Sequence, residues 1–184
     1  GTEYYWWHVI NPDGSRRFGY NTKGGPCANA VAAGDLRGDG TRAAIFGGAD
    51  TLLHVLDSAG KLLWTFNTGD EVTGVACADV NGDGKEEVIA SSLSFNVYCL
   101  DGTGHLLWRQ DLGNLVRELA LVPHQGQWLV AAGGDSGQVV LLQGRDGKPV
   151  GQAAVTGTVL SLAAGKGAVM VSTSDGNLTA LALP

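Results

Sequence analysis

The chain has 184 residues, 29 of them glycine, is 44 % hydrophobic and only 16 % charged, and carries a formal net charge of −6. That length and composition suit one all-β domain with a sizeable core and many turns. A negative balance without a Lys/Arg stripe argues against nucleic acid as a partner, and no apolar run is long enough to span a bilayer.

In chain order, Tyr4 to Ile10 comes first, an aromatic strand in which Tyr4, Trp6 and His8 share one face and Tyr5 and Trp7 the other. These rings are expected to fill space between sheets, with an exposed stacking platform as the sharper alternative. Arg16 to Tyr20 reads as a second strand with Arg16 and Arg17 solvated. Val31-Ala32-Ala33, Ala44-Ile45-Phe46, Leu52 to Leu56 and Leu62 to Phe66 follow as short apolar or alternating runs bounded by Gly, Asp or Asn. That is strand grammar.

The same unit then recurs at a period of about 44 residues. Asp35, Gly38, Asp39, Gly40, Asp57, Gly60 and Leu62-Leu63-Trp64 return as Asp79, Gly82, Asp83, Gly84, Asp101, Gly104 and Leu106-Leu107-Trp108. A worn third copy sets Trp128-Leu129-Val130-Ala131-Ala132 in place of Glu87-Val88-Ile89-Ala90-Ser91, and Gly147 in place of Gly104. An incomplete fourth offers strands at Val159 to Leu162, Ala168 to Thr173 and Asn177 to Leu181. Four strands per unit is the blade of a β-propeller.

The expected architecture is therefore an all-β propeller of about four four-stranded blades in a single domain spanning 1–184. It comprises a partial blade at 4–25, blades at 26–70, 71–114 and 115–157, and a partial blade at 158–184. The ring would close as four blades, as eight across a homodimer, or as part of a larger propeller. The start at Gly1-Thr2 in the middle of a unit favours a piece that needs a partner. Of the three cysteines, Cys27, Cys77 and Cys99, buried free thiols are expected rather than a disulfide framework.

The loop Asp79-Val80-Asn81-Gly82-Asp83-Gly84-Lys85-Glu86-Glu87 carries the best chemistry. Calcium takes six to eight oxygens, and side chains at alternate positions of a tight glycine-bearing turn can converge on one point. Asp79, Asn81 and Asp83 occupy those positions, the carbonyl of Lys85 a backbone position, and Glu87 can close the shell. A turn held only by Asx hydrogen bonds is the competing reading. In the first copy Arg37 stands at a ligand position and Ala43 replaces the closing acid, so Asp35 and Asp39 make a weaker second site.

The loop resembles that of FG-GAP and VCBS-type propeller repeats, also found in integrin α-chains, over residues 29–114. The turns Asp135-Ser136-Gly137-Gln138 and Ser174-Asp175-Gly176-Asn177, with Asp101-Gly102-Thr103-Gly104-His105-Leu106-Leu107-Trp108, resemble PQQ-like propeller repeats. The resemblances imply a calcium-stabilised ring whose tryptophans pack between blades. They lead to a non-catalytic module that binds a protein or a glycan, outside the cytoplasm: extracellular, at the cell surface or periplasmic. The alternative is the propeller of a polysaccharide lyase or glycoside hydrolase. A PQQ-dependent dehydrogenase is disfavoured because vicinal cysteines are missing.

Other chemistry is thin. His8, His54, His105 and His124 are scattered, neighbours Glu86 and Glu87 on a strand face opposite ways, and no titratable cluster is placed at a channel mouth. No catalytic residue is expected.

Overall fold

A computed structural model describes residues 5–23 and 29–184. Tyr4 and Cys27 lie outside the described residues. A hairpin, β1 (Trp6–Ile10) with β2 (Arg16–Asn21), precedes three four-stranded antiparallel sheets. The first holds β3 (Ala30–Gly34), β4 (Ala43–Gly47), β5 (Leu52–Leu56) and β6 (Leu62–Asn67). The second holds β7 (Val72–Ala78), β8 (Glu87–Ser92), β9 (Asn96–Leu100) and β10 (Leu106–Asp111). The third holds β11 (Val116–His124), β12 (Gln127–Gly134), β13 (Gln138–Gln143) and β14 (Pro149–Ala154), and a three-stranded sheet follows: β15 (Val159–Gly165), β16 (Ala168–Thr173), β17 (Leu178–Ala182). Strands pair in sequence order within each sheet, and β3, β7, β11 and β15 pack side by side. These are the blades of a propeller with its inner strands around a common axis.

The core lies between blades rather than within one. Ile45, Leu53 and Val55 of the first blade meet Val72, Val88 and Leu100 of the second. Ile89, Val97 and Cys99 of the second meet Val130, Ala132 and Leu142 of the third, while Leu129, Ala131 and Leu141 meet Val159, Leu162 and Val171. A central blade thus buries both faces, which is why β8 and β9 are buried along their whole length. The hairpin docks similarly, with Trp7 stacked on Phe46 at 4.5 Å and packed beside Leu56. On the other face Trp6 is part-exposed, stacked 6.1 Å from His8 and covered by Arg16.

One lock recurs at successive junctions. Trp64 Nε1 donates to the Gly102 carbonyl at 3.1 Å, and Trp108 Nε1 donates to the Gly144 carbonyl at 2.8 Å. The glycine of the facing turn lies flat on the ring: a Cβ on Gly104 would fall 2.9 Å from Trp64, and one on Gly147 would fall 2.6 Å from Trp108. Gly147 also has φ +71°, so both the backbone and the contact demand glycine there. Phe18 makes the corresponding contact with Gly60. The tryptophans do pack between blades, as the resemblance to propeller repeats implied.

Two details differ from the sequence reading. Leu129, not Trp128, takes the position of Glu87, because Val116 pairs with Gly134 where Val72 pairs with Ser92. Val130 and Ala132 must face the second blade, and a slip of one residue would turn them to the wrong face. The last strand runs Leu178–Ala182 rather than from Asn177, because Asn177 belongs to the turn: its N–H and side-chain amide both bond Asp175.

Cys77 and Cys99 are free thiols. Burial, with Glu86 adding to it, pushes Cys77 up to about 12, and burial raises Cys99 as well, so neither is a reactive thiolate. His54 is a packed histidine, with Nε2 2.7 Å from Asp50 Oδ2 and Nδ1 3.2 Å from the Tyr20 hydroxyl.

Candidate functional site

In an antiparallel blade, the turns after the first and third strands share one end. The loops 35–42 and 79–86 and the turns at 57–61 and 101–105 therefore lie together on one face. The turns set themselves by Asx bonds. Asp57 accepts the N–H groups of Ala59 and Lys61, both at 2.9 Å, and Asp101 accepts those of Thr103 and His105. The Lys61 N–H above all holds the Asp57 carboxyl below its ordinary range.

Asp79 is the hub of the longer loop. Its Oδ1 accepts the N–H of Gly82 at 2.7 Å and of Asp83 at 3.1 Å, and its Oδ2 accepts that of Gly84 at 2.9 Å. Asn81 Oδ1 accepts the Asp83 N–H, and Asp83 Oδ1 accepts the Lys85 N–H, each at 2.8 Å. Gly82 and Gly84, at φ +83° and +84°, give the reversal that brings these N–H groups inward. Glu87 is buried at the foot of the loop, accepting from the Val80 N–H at 3.0 Å and from the Asn81 amide at 2.8 Å. Burial chiefly raises its pKa, and the charges of Asp83 and Asp79 add to the rise.

The first copy has the same hub. Asp35 accepts the N–H groups of Arg37, Asp39 and Gly40, the last at 2.8 Å, and Asp39 accepts from Thr41. Arg37 lines the cleft described below, and the cation beside Ala33 and Glu86 is Arg42 instead. Among the described residues, no three His, Cys, Asp or Glu side chains come together as a group that could hold a metal. Each loop stands here as a turn closed by its own hydrogen bonds.

The two loops nest. Glu86 Oε2 accepts the Asp35 N–H at 2.9 Å while its own N–H bonds the Asp35 carbonyl at 3.0 Å. A Cβ on Gly38 would lie 2.6 Å from the Gly84 carbonyl oxygen. Glu86 and Glu87 thus face opposite ways, the first to the preceding blade. Between the loops and the turns opens a cleft of about 730 Å³, bordered by Arg37, Asn81, Asp83, Lys85, Trp64 and Asp101. Among the described residues, neither Arg37 nor Lys85 makes an ion pair. The cleft is an open groove with one aromatic wall, and its border mixes Arg37, Arg42 and Lys85 with Asp57, Asp83, Glu87 and Asp101. Such a polar lining suits a ligand rich in hydroxyl groups with anionic groups at Arg37 and Lys85.

A second cluster appears on the opposite face, where the inner strands begin. Glu71, Arg117 and Glu118 line a pocket of about 270 Å³ at the axis, against the expectation of no titratable group at the channel mouth. Sequence reasoning passed over them because Glu71 belongs to one repeat and Arg117 and Glu118 to the next. The period was the available signal, since Asn29, Thr73 and Arg117 are 44 residues apart.

Fold and sites define the class as a β-propeller. The family model described as the lambda-carrageenase β-propeller domain matches residues 69–154, the second and third blades with the Asp79 hub. A search of curated proteins by sequence gave no match. Among solved structures, the N-terminal domain of BBS1 crystallised with ARL6 superposes with a TM-score of 0.79 at 20% identity, over 100% of this chain and 55% of that one. The computationally designed Ika8 protein gives 0.77 at 18%, over 100% and 54%, and BamB from Moraxella catarrhalis gives 0.69 at 20%, over 92% and 50%. The chain spans about half the length of each of these three structures. At such identities the likeness is one of fold.

Proposed function

We propose that the chain is a non-catalytic, calcium-stabilised binding module of the FG-GAP/VCBS type that holds a glycan in the cleft between its first two full blades, outside the cytoplasm. The observation that carries this reading is the overlap between the carrageenase-type family match, over 69–154, and the blade whose Asp79–Glu87 loop forms one wall of the cleft. Arg37 and Lys85 would meet anionic groups along a polysaccharide, Asn81, Asp83 and Asp101 its hydroxyls, and Trp64 a sugar ring.

The oxygens of Asp79, Asn81 and Asp83 and the carbonyl of Lys85, with Glu87 closing, are hard donors of the kind calcium takes. Asp79 Oδ2 and Asp83 Oδ1 each accept one backbone N–H and keep a lone pair, whereas Asp79 Oδ1 already accepts two. When bound, the ion supplies positive charge and rigidity to the cleft wall. The chain's own part is to hold the turn through Gly82 and Gly84 and to anchor it to the next strand through Glu87. Asp35 and Asp39 make the lesser site.

The family name also favours a second reading, a propeller that belongs to a polysaccharide-cleaving enzyme. Native electrophoresis through gels containing lambda-carrageenan, with reducing ends measured in parallel, separates the two. Retardation without new reducing ends, weakened about tenfold in Arg37→Ala with Lys85→Ala, is the expected result. Depolymerisation by the isolated chain, abolished by one substitution, would replace the binding module with the enzyme.

A further inference from the structure

The pocket at the channel mouth lies on the face opposite the Asp79 loop, and one repeated register position, with its neighbours Glu71, Glu118 and Val159, lines it. The inner strands β7, β11 and β15 all open with a bulge, between Val72 and Gly74, Val116 and Glu118, and Val159 and Ser161. The bulged residues are Thr73, Arg117 and Leu160, and Asn29 stands one period before Thr73.

At two junctions the side chain at this position ties its strand to the next. Asn29 Nδ2 donates to the Val72 carbonyl at 3.2 Å, and Thr73 Oγ1 donates to the Val116 carbonyl at 2.8 Å. At the third junction the series breaks. The Arg117 guanidinium swings outward onto Asp135 in a two-pronged pair, Nη2 to Oδ2 at 3.0 Å, and makes no corresponding bond to Val159 among the described residues. A junction tie is given up there, and the space becomes part of the pocket wall with Val159 and Leu160.

The lining has an unbalanced charge. Asp135 pairs with Arg117, the one cation in it, and the charge of Glu71 acts on Arg117 more weakly. Glu71 is held by the Asn29 amide, and the Glu118 side chain makes no hydrogen bond or ion pair among the described residues. A half-buried carboxylate without a partner is costly unless a cation meets it. Burial accordingly raises the Glu118 carboxyl above its ordinary value.

Carboxylates over an aliphatic wall, in a space of about 270 Å³, complement a methylene stem that ends in a cation. We infer that the channel mouth is a docking pocket for a lysine or arginine side chain presented by a protein partner, its charged head between Glu71 and Glu118 and its stem against Val159 and Leu160. The surface is separate from the glycan cleft, and its test does not involve a polysaccharide.

The experiment titrates Nα-acetyl-arginine amide, Nα-acetyl-lysine amide and the uncharged isostere Nα-acetyl-citrulline amide into isotopically labelled protein, following backbone amides 116–119 and 159–161 by NMR. Saturable shifts with the two cations, and binding about tenfold weaker with citrulline and with Glu118→Gln, are expected. Glu118→Gln should fold at least as well as the native chain, and Glu71→Gln, at the rim, provides a second variant. Equal binding of citrulline, undiminished arginine binding in both variants, or no saturable shift at these amides would overturn the assignment.

Discussion

Replacing Trp108 with alanine is expected to lower unfolding free energy by about 3–5 kcal/mol, the range for removing a large buried aromatic side chain. The ring is buried between the second and third blades with Gly147 flat against it, and its N–H is satisfied by the Gly144 carbonyl. The neighbouring backbone is shaped to the indole, so it cannot collapse into the space, and a carbonyl is left unpaired. Trp64→Ala, at the preceding junction, should cost less because Trp64 is only half-buried and its bond is longer. Urea denaturation of both variants checks the order. Equal costs, or a Trp108→Ala cost below about 1 kcal/mol, would mean that the tryptophan fills space without joining the blades.

Asp79→Ala is expected to destabilise by about 2 kcal/mol even in chelator, since three inward N–H groups lose one carboxylate acceptor. Asp39→Ala removes an acceptor of the Thr41 N–H alone and should stay within about 0.5 kcal/mol. Thermal unfolding in chelator measures the pair. If the two behave alike, the hub arrangement is not what holds the loop. Asp79→Asn should recover part of the loss, because an amide oxygen still accepts from the backbone on one side.

The repeat made the blades legible. Identical spacing of Asp57 and Asp101, Gly60 and Gly104, and Trp64 and Trp108 can only mean one unit used again, and short alternating runs can only be strands. The third copy was misaligned by one residue because its shorter connection at Gln125-Gly126 shifts the frame. Only the side-chain face, Val130 and Ala132 turned to the second blade, corrects it.

Contacts across the period were out of reach for a different reason. The bond from Glu86 to Asp35 joins residues 51 apart, and the ring of Asn29, Thr73 and Arg117 exists only once blades are set side by side. Local pattern reports a residue's own strand and face. It is silent on what the next blade places opposite, and both pockets are made there.

Thermal unfolding of the native chain in millimolar calcium and in chelator, beside Asp79→Ala with Asp83→Ala, tests the central claim most directly. The account predicts that calcium raises the melting temperature of the native chain and leaves the double variant unmoved, since an ion bound only to the folded state at a hundred times its dissociation constant adds about 2.7 kcal/mol. No rise in the native chain, or an equal rise in both, would contradict calcium binding at this loop and leave Asp79 as the hub of a metal-free turn.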